Sequence, residues 1–144
     1  MKIIMASQKV VRKIISTSLS PKPVGPYNQA VLVDRTLYLS GVLGLNMKTQ
    51  KLAEGGAVAE ARQALTNMGH ILKEAGSDYN KVVKTTILLQ NMDDFSGINE
   101  IYKEFFKENY PARSTYQVGK LPMGAQFEIE AIAVIGDVET ISTL

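Results

Sequence analysis

The sequence predicts an α+β fold, a mixed sheet with two helices on one face, in the order β-β-β-α-β-α-β-β. Three observations predict it. Two stretches, 57–75 and 93–108, carry apolar residues at three- and four-residue spacing, as a helix with one buried face requires. Six shorter stretches are rich in β-branched and aromatic residues and read as strands. The length of 144 residues, with 45% hydrophobic and 21% charged residues, suits one domain around one core. No repeat, low-complexity tract or linker divides it, so residues 1–144 are expected to form a single domain, with 1–11 as a basic N-terminal extension.

Val10 to Ile15 reads as the first strand, and the Pro/Gly-rich SLSPKPVGPY, 18–27, as the loop that follows. Ala30–Val33 and Thr36–Ser40 make a hairpin turned at Asp34-Arg35. GVLGLNMKTQ then reads as loop. Val58, Ala61, Leu65, Met68, Leu72 and Ala75 form the stripe of the first helix, which Gly76 is placed to end. His70 falls roughly opposite that stripe, where a histidine meets solvent. Lys81 to Leu89 reads as a strand. Asp93 or Asp94 is the expected N-cap of the second helix, which ends near Glu108 and buries Phe95, Ile98, Tyr102 and Phe105. Ala112–Val118, a turn around LPMG, and the strand FEIEAIAVIG complete the chain.

Composition removes several chemistries. There is no cysteine, so no disulfide, thiol nucleophile or cysteine–zinc site, and a reducing compartment is suited. The single histidine removes two-histidine acid–base catalysis. GxxxxGK[ST], GxGxxG and GxSxG are all missing, which leaves phosphate cradles and nucleophile elbows without support. The net charge of +2 is unevenly spread. Residues 1–25 hold five bases and no acid, leaving eleven bases against fourteen acids beyond them, a net of −3. A slightly acidic body is a poor footprint for nucleic acid. No apolar run approaches the roughly 20 residues of a membrane helix. The cytoplasm is the expected location. The basic opening MKIIMASQKVVRKIIS, in which Met5 is a second candidate start, has something of a transit peptide, so a mitochondrial pool is an alternative. A peroxisomal pool is another, although Ser142-Thr143-Leu144 lacks the basic middle residue of that address.

Arg113 stands out as the one charge on the strand Ala112–Val118. Its planar, permanently charged fork matches a carboxylate. A salt bridge to Glu128 or Glu130, or a place capping the sheet edge, would explain it equally well. Glu128 and Glu130 share one face of the final strand, roughly 7 Å apart at Cα. They are either acids entering a buried strand, where a carboxyl titrates abnormally, or surface acids paired with lysines. The loop GPYNQ offers the phenol of Tyr27 and two amides, or is only a turn. Gly41, after Ser40, is a ligand approach, a bulge or a strand end.

Taken in order, GPYNQAV, LYLSG, KTTILLQNMDDFSGINEIYKEFF, YPARSTYQV and LPMGAQFEIEAIA resemble the reactive intermediate deaminase family (RidA, also called YjgF), and its eukaryotic perchloric-acid-soluble branch in particular. The likeness runs from about Arg12 to the C-terminus, and the arginine of PARS precedes the first glutamate of the ExE pair by fifteen residues. The resemblance implies a chorismate-mutase-like fold, a homotrimer with active sites between subunits, and hydrolysis of 2-imino acids and their enamine tautomers, such as 2-iminobutanoate and 2-iminopropanoate, to 2-oxo acids and ammonia. It implies no metal or organic cofactor. It assigns the carboxylate clamp to Arg113, the water-positioning base to Glu128, and pocket positions to Tyr27, Ser40, Gly41 and Asn99. Thr115 stands where bacterial members often have cysteine, which argues against an obligatory thiol there. The competing readings are an endoribonuclease that inhibits translation, a non-catalytic small-carboxylate-binding module, and a chaperone.

Overall fold

The computed structural model describes residues 8–144; the larger part of the basic segment 1–11, with Lys2 and Met5, lies outside the described residues. The element order is β1 (Arg12–Ile15), β2 (Ala30–Val33), β3 (Thr36–Leu43), α1 (Gly56–Glu74), β4 (Val82–Leu89), α2 (Phe95–Phe105), β5 (Ala112–Gln117) and β6 (Phe127–Val134), as the sequence predicts. The strands form one six-stranded sheet in the order β1-β2-β3-β6-β4-β5. All neighbours are antiparallel except β4 and β5. That parallel pair is joined through α2, the crossover a parallel connection needs. The last strand in sequence therefore lies inside the sheet, between β3 and β4.

Alternation on the central strands sorts their side chains. Phe127, Ile129, Ala131 and Ala133 of β6 and Thr85, Ile87 and Leu89 of β4 are buried under the helices, with Leu37, Leu39 and Val42 of β3 beside them. Glu128, Glu130, Ile132 and Val134 point to the other, open face, with Lys84, Thr86 and Leu88. Beyond Glu130 this face of β6 is apolar, yet Ile132 and Val134 are only half-buried, because none of the described residues covers it. Both helices lie over the opposite face. α1 contributes Ala57, Ala61, Ala64, Leu65, Met68, Ile71 and Leu72, and α2 contributes Ile98, Ile101 and Tyr102.

Several boundaries differ from expectation. β3 does not stop at Ser40 but runs to Leu43, through a bulge in which Ser40 and Gly41 interrupt the pairing with β6. Neither Asp93 nor Asp94 caps α2 with its side chain. Asn91 instead accepts from the Asp93 amide and starts a short 3₁₀ turn leading into the helix. α2 ends at Phe105 rather than Glu108. Gly76 ends α1 as predicted, at φ 80°, and the Ser77 amide closes back on the Leu72 carbonyl at 2.8 Å. His70 is half-buried rather than fully solvated. No helix among the described residues is long and apolar enough to cross a membrane.

Candidate active site

The residues singled out in the sequence gather into two groups. The first surrounds Arg113. Its position on β5 pairs with Thr85 of β4, which turns its side chain to the helix face. There the guanidinium donates to Asn99 Oδ1 at 2.8 Å. It also lies over two rings of α2, 4.8 Å from the Tyr102 centroid and 5.5 Å from that of Phe95. Tyr102 is itself buried and its hydroxyl is bonded to Thr85 Oγ1 at 2.9 Å. Burial pushes the Tyr102 phenol up, while the Thr85 bond and the Arg113 charge pull the other way. Among the described residues Arg113 has no carboxylate partner, so the ion pair to Glu128 or Glu130 does not form. One amide oxygen and two ring faces orient the fork without neutralising it. Arg113 lines an open cleft with Ser96, Asn99, Tyr102, Lys103 and Tyr110. Thr115 follows two residues along the same strand face, half-buried, its neighbour on β4 being Ile87.

The second group surrounds Glu128 on the open face. Its carboxyl lines a cleft with Ser20–Val24, Tyr27, Ser40, Gly41 and Met123. The bulge in β3 brings Gly41 directly against it: a Cβ at Gly41 would collide with Glu128 Oε1 and lie 2.8 Å from the carboxyl carbon. Burial, with the charge of Glu130 adding to it, pushes the Glu128 carboxyl above the usual carboxylate range. The loop that walls this cleft is fixed at its base by Gln29. The Gln29 carboxamide accepts from the Thr17 amide at 2.7 Å and donates to the carbonyls of Thr17, Ser20 and Pro21. Ser40 Oγ donates to the Asn28 carbonyl at 2.6 Å, tying the loop to β3. Tyr27 is half-exposed at the cleft mouth, its hydroxyl accepting a long bond from the Val24 amide. No group of three or more acidic or histidine side chains is arranged to hold a metal among the described residues.

The Gly41 contact carries a prediction. Gly41→Ala forces the flexible end of Glu128 aside rather than any backbone atom, so the fold should tolerate it within about 1 kcal/mol by chemical denaturation. The carboxylate, however, should be displaced by the order of an ångström, and if Glu128 positions the reacting groups, steady-state turnover should fall on the order of 10²-fold.

The two groups do not meet within one chain. Arg113 pairs with Thr85, which pairs with Ala131, three residues along β6 from Glu128. Two strand spacings and three residues of rise separate the two Cα atoms by about 14 Å. More decisively, the side chains leave opposite faces of the sheet, Arg113 under α2 and Glu128 on the open side.

A family model described as endoribonuclease L-PSP matches residues 17–135. The chain belongs to this family. L-PSP relatives are also close in sequence. The human 2-iminobutanoate/2-iminopropanoate deaminase is 53% identical over 133 residues, 92% of this chain and 97% of its own length. The mouse protein of the same name is 57% identical over 127 residues, covering 88% and 94%. Among solved structures, a putative endoribonuclease L-PSP from Entamoeba histolytica superposes with a TM-score of 0.84 at 39% identity, covering 87% of this chain and all of that one. E. coli TdcF with bound serine superposes with a TM-score of 0.81 at 35% identity, covering 86% and 99%. The L-PSP fold is therefore the α+β sheet with two helices described above.

Two buried polar side chains that help hold the Glu128 cleft together carry no mark in the sequence pattern beyond their spacing. Glu60 and Asn67, both on α1, are almost fully buried, at 4% and 1% exposure. Their spacing of seven residues along the apolar stripe was the available signal.

Proposed function

We propose that this chain is a 2-imino acid deaminase, hydrolysing the C=N bond of 2-iminobutanoate or 2-iminopropanoate to the 2-oxo acid and ammonia, in sites completed between copies of the chain in a homotrimer. The name shared by relatives more than half identical over nearly the whole chain supports the activity. The observation that carries the site is the placement of Arg113 and Glu128 on opposite faces of one sheet: a small anion that needs both must be held between the Arg113 face of one subunit and the Glu128 face of the next. TdcF, a structural neighbour, has serine bound, a small carboxylate of the size such a cleft accepts.

The chemistry follows from the side chains. Arg113, oriented by Asn99 and the rings of Phe95 and Tyr102, holds the substrate carboxylate by two charge-assisted bonds. The partner copy presents Glu128 to a water beside C2. As the water oxygen bonds to C2, its proton passes to Glu128 and the C=N π pair moves to nitrogen. Glu128 then returns the proton to the amine; as the C–N bond breaks and ammonia leaves, the C2 hydroxyl proton passes to Glu128, the C2 oxygen becomes the carbonyl, and Glu128 releases that proton to solvent or to the departing ammonia. The iminium carbon is already electrophilic, so one positioned base suffices. A carboxyl raised above its usual range is the better proton carrier near neutrality. Tyr27, Ser40 and Gly41 shape the pocket around the base, and Thr115 lies beside the clamp. The reaction requires no metal or organic cofactor. A cysteine-free chain of this kind suits the cytoplasm.

The family's description favours one other reading, RNA cleavage. Against it, residues 26–144 carry a net charge of −3, the wrong sign for a phosphate backbone. A trapping assay decides. Threonine dehydratase generates 2-aminocrotonate in the presence of semicarbazide, and the protein should divert the imine from semicarbazone to 2-oxobutanoate. Unchanged trapping at protein concentrations well above the dehydratase would sink the deaminase reading, whether the cleft then proved to bind carboxylates without turnover or RNA were cut instead.

A further inference from the structure

Glu60 is a buried carboxylate that the proposed chemistry does not use. It sits in the second turn of α1 and accepts hydrogen bonds from two consecutive backbone amides, Gln126 at 2.7 Å and Phe127 at 3.3 Å. Those amides immediately precede Glu128. A carboxylate has several acceptor positions and satisfies both donors at once, which a neutral apolar side chain cannot do. Seven residues on, the Asn67 carboxamide donates to the carbonyls of Leu43 at 3.1 Å and Leu45 at 2.9 Å, while its oxygen accepts from Gln63. Leu43 is the β3 residue paired with Glu128. Between these attachments Gly44 lies so close to the Glu60 backbone that a Cβ would overlap it. One helix thus grips both backbones that frame the Glu128 carboxyl, on one side the entry of β6 and on the other the exit of β3.

We propose that Glu60, with Asn67 as the second attachment, is a positioning residue for Glu128: from the far side of the sheet it fixes where β6 begins and so where the carboxylate meets Gly41. The kinetic consequence of this positioning rests on the deaminase reading; its structural consequence does not. Among the described residues of its own chain, the charged and titratable groups that face Glu128 are Glu130 on its strand and Lys22 and Tyr27 from the loop, and the proposed site adds Arg113 of the adjoining copy; none of these is bonded to Glu60.

The test compares Glu60→Gln and Glu60→Leu with the wild type. The carbonyl of Gln keeps a weaker acceptor for the two amides; Leu leaves both unpaired. Expected values of kcat fall in the order wild type, Gln, Leu, with Leu lower by about 10- to 100-fold and KM changed by less than about threefold, since the Arg113 clamp is untouched. The acid limb of the kcat–pH profile should move toward the ordinary carboxylate range in the same order, as Glu128 loosens from Gly41 into water. The Glu128 carboxyl titration, followed by ¹³C NMR, should move with it. A folded Leu variant with wild-type kcat and wild-type Glu128 titration overturns the proposal. If the Leu variant does not fold, the Gln variant decides, and a wild-type Glu128 titration in it overturns the proposal equally. Loss of the NMR shift in a protein that turns over no imine would leave the positioning intact and sink the deaminase reading instead.

Discussion

Arg113→Ala should lower kcat/KM for a 2-imino acid by about two to three orders of magnitude, because a hydrogen-bonded charge pair that loses one partner costs about 2–5 kcal/mol. The loss should appear largely in KM, with 2-oxo acid product binding weakened in parallel. Arg113→Lys keeps the charge but not the planar fork, nor its fit over the Tyr102 and Phe95 rings, and should recover only part of the loss. Stability should change little in either variant, since Arg113 is half-buried at an edge strand and forms no ion pair among the described residues. Steady-state kinetics with product-binding calorimetry checks each point. A variant that keeps kcat/KM while weakening only thermal stability would show the arginine to be a sheet-edge fixture.

Glu128→Gln should have the opposite kinetic signature. Removing a general base costs about 10²–10⁴-fold in kcat, while 2-oxo acid binding through Arg113 persists. In the wild type, kcat should fall as pH is lowered through the raised Glu128 pKa, because the protonated carboxyl cannot accept from water. The stability consequence has a definite sign. The folded state holds this proton to higher pH than the unfolded chain, so the carboxyl's contribution to stability is full at low pH and is lost as pH rises through the folded value. Glu128→Gln, neutral throughout, escapes that loss and should be at least as stable as the wild type at neutral pH. A thermal melt therefore separates lost catalysis from lost fold.

Much of this was legible in the sequence, for reasons that differ from residue to residue. Period-two alternation and β-branched runs locate the strands, and the stripe from Val58 to Ala75 locates α1, because these patterns express burial directly. Arg113 is conspicuous because a charge interrupts an uncharged strand. What local pattern cannot carry is strand order. That β6 inserts between β3 and β4, and that Arg113 and Glu128 consequently face opposite ways, depends on pairings between residues far apart in sequence. A bulge at Gly41 was one of the sequence's open readings, but its purpose was not legible for the same reason, since Gly41 is explained by a carboxyl 87 positions later. Asp93 and Asp94 resemble caps by composition, yet Asn91 one turn earlier takes the role, because the chain enters α2 through a 3₁₀ turn. Glu60 was hidden by the ordinary expectation that an acid on an amphipathic helix faces water.

The central claim, that each site takes its clamp from one subunit and its base from another, is tested most directly by complementation. Assayed at substrate well below the wild-type KM, Arg113→Ala and Glu128→Gln proteins should each retain about 1% of wild-type activity or less. Unfolded together and refolded at equal amounts, they should form mixed oligomers in which about one interface in four joins an intact Arg113 to an intact Glu128, restoring about a quarter of wild-type activity. Mixed oligomers verified by native mass spectrometry that remain as inactive as either parent would contradict it.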